Sequence, residues 1–241
     1  MRKRIQAAFL LAIVSGGCLE MEQTITLSAD GSGKQAVKLT MSEAALAEIQ
    51  RASAAAQLGA KANPSAVFDK ESVAKELKAA GLELARHTTS REGGRRTVDL
   101  EATFADFASL QKSPVCGSAA EWVLAPGPRE GTAKLTLYPQ GKQAWTEARE
   151  KADAMRGTSD PVAEGFFQKR KKALTGLDVV VRFRVPGDVL VWTRNLEKTG
   201  DREVTAHVTG EQIRTPEDLV RRLAPRFEVI FDAKDCKLPV N

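Results

Sequence analysis

The stretch MEQTITLSADGSGKQAVKLTM, residues 21–41, decides the fold. Met21, Gln23, Ile25 and Leu27 fall on one side of an extended chain and Glu22, Thr24 and Thr26 on the other. That period of two is what a strand with one covered face requires. Asp30, Gly31, Ser32 and Gly33 then supply turn residues, and Val37, Leu39 and Met41 resume the alternation. The segment reads as a β-hairpin. Gly31-Ser32-Gly33-Lys34 looks superficially like a piece of a phosphate loop, but it lacks the G-x-x-x-x-G-K spacing and leads into a strand, so it is the hairpin's turn.

Working toward the C-terminus, Ser42 is placed to cap a helix whose Ala45, Ile49 and Ala52 share one face with Leu46 at its edge. This opens an Ala-rich stretch that ends at Asn63-Pro64. A second helix starts at Asp69, with Phe68 and Val73 spaced as a hydrophobic staple and Gly81 as its stop. Residues 82–90 and 97–103 form a second hairpin around Gly93-Gly94, and Phe104, Phe107 and Leu110 mark a short helix. Strands are expected at 121–125 and 132–138, then a helical region over 140–174 broken near Gly157 to Pro161. Leu177, Val179, Val181, Phe183 and Val185 make the most regular strand, turned by Pro186-Gly187. Strands at 189–193 and 203–208 follow, then a helix opened by Thr215, Pro216 and Asp218, and a closing strand at Phe227, Val229 and Phe231.

Paired strands recurring with helices between them predict an α+β fold: one or two antiparallel sheets built from successive hairpins, with helices packed on one side. Tight turns between successive strands argue against a doubly wound parallel sheet.

Working toward the N-terminus, the hairpin begins almost at Cys18. Ahead of that cysteine lie Arg2, Lys3 and Arg4, an apolar run from Ile5 to Val14, and the small residues Ser15, Gly16 and Gly17. This is the layout of an export signal, and its run of about ten apolar residues is well short of the ~20 a membrane-spanning helix needs. Gly16, Gly17 and Cys18 resemble the lipobox of bacterial lipoproteins, which are acylated on the cysteine and cleaved before it. Ser15 departs from the Leu usual there, and Ser15 with Gly17 would also suit the ordinary signal peptidase. The expected organisation is a signal peptide over 1–17 and an ectodomain over 18–241, either undivided or split into two subdomains near 112–120. Acylation at Cys18 with no tether would hold the domain close to the membrane, and Leu19 rather than Asp after the cysteine resembles lipoproteins sorted to the outer membrane.

Loss of the leader takes Arg2, Lys3 and Arg4 out of the chain's formal charge of +5, which removes the main support for a nucleic-acid partner. It also leaves Cys116 and Cys236 as an even pair in a compartment that permits disulfides, open to bridging or to persisting as two thiols.

Gly17-Cys18-Leu19-Glu20 running into a strand, the Asp30 to Gly33 turn, and the late segment from Val181 through Val185-Pro186-Gly187 and Asn195 to Val208 together resemble a group of uncharacterised bacterial lipoproteins, among them the mycobacterial LppM-type lipoprotein domain. The resemblance covers the two ends better than the middle. It implies an envelope lipoprotein with an α+β ectodomain and carries no catalytic residues.

Chemistry-bearing motifs are sparse. His87 and His207 are the only histidines and neither has a second ligand at metal spacing. There is no G-x-S-x-G elbow. No catalytic residue, metal or cofactor is expected. Lys169, Arg170, Lys171 and Lys172 form the densest basic cluster, just behind Phe166 and Phe167. Either the phenylalanines enter a membrane interface with the cations at its headgroups, or the phenylalanines are core and the cations sit against a helix C-terminus. Arg91, Arg95 and Arg96 make a second basic tip around Gly93-Gly94. Trp122, Trp145, Trp192 and Tyr138 could line a pocket or serve as packing. The expectation is a membrane-anchored envelope lipoprotein acting as a non-enzymatic binding or scaffolding module. The alternatives are a carrier of an apolar ligand between sheet and helices, or an enzyme with an unmarked site.

Overall fold

In the computed structural model, β1 (Leu19–Leu27) and β2 (Gly33–Ser42) pair antiparallel from Leu19 opposite Met41 to Leu27 opposite Gly33. Their turn is closed by the Ser28 amide donating to the Ser32 carbonyl at 2.8 Å and by the Ser32 hydroxyl donating to Asp30 Oδ1 at 2.7 Å. Gly33 is required by close approach: a Cβ there would stand 2.0 Å from the Thr26 carbonyl oxygen and 2.6 Å from the Phe104 ring. The structure describes residues 19–55, 65–116, 119–157, 161–171 and 174–238. The expected leader, Cys18 and Lys172 lie outside them, as do the side chains of Cys116 and Arg170.

The remaining strands are β3 (Leu82–Glu92), β4 (Arg95–Phe104), β5 (Glu121–Pro126), β6 (Thr132–Tyr138), β7 (Leu177–Arg184), β8 (Val189–Trp192), β9 (Glu197–Gly200), β10 (Glu203–Thr209) and β11 (Phe227–Asp232). The helices are α1 (Glu43–Ala55), α2 (Lys70–Ala79), α3 (Phe107–Gln111), α4 (Lys142–Met155), α5 (Pro161–Lys171) and α6 (Pro216–Leu223). The strands form a seven-stranded sheet, β3-β4-β2-β1-β7-β10-β9, and a four-stranded one, β5-β6-β11-β8. The fold is α+β and mostly antiparallel.

Local hydrogen bonds set the helix starts. Ser42 Oγ accepts from the Ala45 amide at 3.1 Å, and Asp69 and Asp106 each accept from the amide three residues on at 2.7 Å. Thr215 and Asp218 complete a reciprocal capping box with Pro216 as the first helical residue. At α2, however, the expected staple pair divides, Phe68 joining one core cluster and Val73 packing on another.

Three features depart from the chain of successive hairpins expected from sequence. β1 and β7 pair in parallel, Leu19 opposite Leu177 through Thr26 opposite Arg184; the connection between them is long enough for the return that parallel pairing needs. The Pro186-Gly187 turn does not fold β8 back on β7. It sends β8 to the smaller sheet, where Trp192 lies opposite Val229 and Val191 opposite Ile230. β9 is a strand of exposed residues, Glu197 to Gly200, without apolar alternation to announce it.

The chain first leaves the large sheet after β4, but β7, β9 and β10 return to it, so both sheets draw on residues beyond 120. One core cluster joins the sheets, with Ile25, Leu27, Phe104 and Phe183 of the large sheet against Trp122, Leu135 and Phe231 of the small one. A second lies at the Leu19 end, where Leu19, Met21 and Met41 meet Leu46 and Ile49 of α1, Phe167 of α5, Leu174 and Leu219 of α6. The opposite face of the large sheet is polar and carries cross-strand pairs such as Arg86–Asp99 at 2.8 Å, Arg182–Glu22 at 3.1 Å and Arg184–Glu203 at 2.6 Å. Such exposed pairs contribute little each, but they suit a sheet covered on one side only.

Candidate membrane-facing end of the large sheet

Strand register gathers both basic clusters at the end of the sheet where Leu19 lies. Leu19 is opposite Met41 of β2 and Leu177 of β7. Met41 and Ser42 are opposite Arg96 and Arg95 of β4, which face Arg91 and Glu92 of β3. The Gly93-Gly94 turn with its arginines therefore sits on the same rim as the first residue of β1. The Glu43 amide donates to the Gly94 carbonyl at 2.9 Å, tying the start of α1 to this turn. Arg91 pairs with Glu43, Arg95 with Glu20 at 2.6 Å, and the Arg96 guanidinium lies 4.3 Å from the centroid of the Phe68 ring. These contacts hold three cations at the rim instead of leaving them free to swing.

The second cluster arrives through α5. Leu174, three residues beyond the helix, is buried in the same core cluster as Leu19 and Leu177. Gly210 presses against its carbonyl so closely that a Cβ would stand 2.0 Å from the oxygen. Gly210 directly follows Thr209, which is opposite Asp178 at the start of β7. A three-residue span reaches at most about 10 Å, so the C-terminal turn of α5, with Lys169 and Lys171 exposed, belongs to this end.

The structure separates the two phenylalanines that the sequence offers together as a membrane contact. Phe167 is 1% exposed and sits in the core, with Lys171 Nζ 5.9 Å from its ring centroid. Its expected contact with a membrane is thereby corrected: successive helical residues point about 100° apart, and this one faces the sheet. Phe166 is 52% exposed and Val162 80% exposed.

The other candidates disperse. Trp122 is buried, its ring edge-on to Phe183 at 6.2 Å. Trp145 of α4 lies 5.6 Å from Tyr138 with the Arg226 guanidinium 4.8 Å from its ring, and Trp192 is on the exposed part of β8. They do not line one pocket. His87 Nε2 bonds the Val67 carbonyl at 3.0 Å, and His207 Nε2 pairs with Asp178 Oδ1 at 2.8 Å on the open face of the sheet. Among the described residues no group of three or more His, Cys, Asp or Glu side chains is placed to hold a metal ion, and no helix is long and apolar enough to cross a membrane. Cys236 carries a free, partly buried thiol in an open cleft shared with Pro126, Pro128, Ala233 and Leu238. Burial, then the nearby Asp235 and Asp232 carboxylates, push that thiol above its ordinary value, which disfavours the reactive thiolate.

Sequence reading missed the exposure of Leu190, Val191 and Trp192 on β8. Its only signal was an unbroken apolar run, which reads equally well as a strand covered on both faces.

No protein-family model matches the chain, and no curated protein matches it. Among solved structures it is similar to the folded domain of the LppM protein of Mycobacterium tuberculosis, determined by NMR, at 11% sequence identity and a TM-score of 0.43 over 90% of this chain and 91% of that one. At that distance no residue role transfers.

Proposed function

We propose that the chain is a lipid-anchored protein of the bacterial envelope, held on the membrane at the Leu19 end of its large sheet and acting as a non-enzymatic binding or scaffolding module. The observation that carries the reading is the start of β1. Leu19, the residue after Cys18, is already paired with strands on both sides. An acylated Cys18 is one residue, about 3.5 Å of chain, from the sheet. Its acyl chains embed at about 0.8 kcal/mol per buried CH₂, and two or more give a stable hold. Leu19 after the cysteine favours the outer membrane.

The binding role is supported by how the chemistry-bearing side chains are used. His87, His207 and the rim arginines are engaged in structural contacts, while β8 and α5 present apolar side chains to solvent. Exposed apolar patches of this kind mark interaction surfaces.

Labelling cells with radioactive palmitate tests the anchor. The wild-type chain is expected to take up label and to stay with membranes washed in high salt, and Cys18→Ala to take up no label and to wash off. An unlabelled wild-type chain recovered in the soluble envelope fraction would overturn the assignment.

A further inference from the structure

The geometry points to α5 as a second membrane contact, in which Val162 and Phe166 enter the boundary between headgroups and acyl chains while Lys169 meets anionic headgroups. This rests on the lipid-anchored reading for its orientation, but its chemistry is independent of the lipid. Val162 and Phe166 are four residues apart, one helical turn, and so stand on one side of α5. Lys169 falls beside that stripe, three residues beyond Phe166. Gly165 also borders it, and a Cβ there would meet nothing within 4 Å. Glu164, the helix's one carboxylate, projects nearly opposite Phe166 at about 100° per residue and accepts a hydrogen bond from Gln168 Nε2 at 2.6 Å.

The stripe therefore combines exposed apolar side chains with a cation and no anion, while Phe167 fixes the other side of the helix in the core. A lysine beside such a stripe, as Lys169 is, lays its methylenes along apolar surface and keeps the ammonium in the headgroup layer. An amphipathic helix of this composition, basic beside an aromatic anchor, is the kind that lies in the interfacial plane. The occupant is a lipid surface rather than a protein because the C-terminal turn of α5 lies at the Leu19 end. That is the end an acylated Cys18 brings to the bilayer. Arg91 and Arg95 on the same rim are already paired with Glu43 and Glu20 and Arg96 lies over the Phe68 ring, so the headgroup contact is carried by α5.

The test uses the full chain carrying Cys18→Ala, recovered from the envelope after export. It is sedimented with vesicles of phosphatidylcholine alone or of phosphatidylcholine mixed with phosphatidylglycerol. It is expected to bind the anionic vesicles, to release in high salt, and to lose binding roughly tenfold with Val162→Ser and Phe166→Ser together. Lys169→Glu is expected to reduce the preference for phosphatidylglycerol. The thermal unfolding of each variant is measured alongside, and a variant that unfolds at the wild-type temperature reads loss of contact rather than loss of fold. Equal binding by the parent and both variants, or no binding by the parent to either vesicle, would overturn the contact. In either case the exposed side of α5 becomes a protein-docking surface. Palmitate labelling reads the anchor separately, so a labelled wild type whose Cys18→Ala form ignores vesicles loses this contact and keeps the anchor, and the reverse result does the opposite.

Discussion

The Ser113 hydroxyl donates to Oε1 of Gln35 inside the protein, both residues being buried. Gln35 stands on the covered face of β2, opposite Ile25 and Ala102, while Ser113 belongs to the segment that leaves the large sheet for the small one. The Val115 amide also donates to Ser113 Oγ at 3.3 Å. A buried amide must be satisfied, so this contact pins the crossing chain to one place on the sheet. Ser113→Ala is expected to cost about 1–3 kcal/mol, read as a lower urea midpoint at unchanged slope.

Gly33→Ala should be among the most damaging single-methyl additions in the hairpin. The methyl would meet a backbone carbonyl at 2.0 Å and the Phe104 ring at 2.6 Å, so β1 or β4 has to move. Overpacking of this kind costs about 1–3 kcal/mol or more. Gly94→Ala is the control. Its Cβ meets nothing within 4 Å but the residue adopts φ +73°, so it pays only for backbone conformation, about 1 kcal/mol. Thermal unfolding of the two variants should rank them in that order.

Acid should unfold the protein partly through its helix caps. Hydrogen bonds from the Ser72 backbone amide and side chain hold the Asp69 carboxyl below its ordinary value of 3.8, and Ser109 does the same for Asp106. A carboxylate whose folded value is lowered stabilises fully above its unfolded value, and the contribution is lost as pH falls through the folded one. The unfolding temperature of the wild type should therefore fall more steeply below pH 3.8 than that of Asp69→Asn combined with Asp106→Asn. Parallel curves for the two proteins would remove the caps from the acid response.

Cys236 should be unreactive for a thiol on an open cleft. With its value raised by burial and two aspartates, alkylation by iodoacetamide at neutral pH, followed on the Cys236 peptide by mass spectrometry, should be slower than in urea-unfolded protein. The same peptide map without reductant should find Cys236 unbridged. A Cys116–Cys236 linked peptide would contradict the free thiol seen here.

Much of the fold was legible in residues 21–41 and in segments like it. Alternation in β1, β2, β4, β7 and β11 survives into the structure because one face of each is covered. The cap residues Ser42, Asp69 and Thr215 act where expected because their bonds reach only three residues along the chain. β9 was not legible: Glu197 to Gly200 are all exposed, and a strand that buries nothing leaves no apolar period. The candidate site was half legible. Basic clusters at 91–96 and 169–172 stand out in the sequence, but nothing in either says that the other shares its rim.

By itself the sequence determined what is local: which segments extend or coil, where helices begin, where the chain turns. It also marked Cys18 as the residue to test. Tertiary structure alone decided the parallel pairing of β1 with β7, the transfer of β8 to the smaller sheet, and the opposite fates of Phe166 and Phe167. Periodicity reports that a side will be covered. Which element covers it depends on surfaces brought together from distant parts of the chain, and two adjacent phenylalanines on a helix are equivalent until a neighbour packs against one of them.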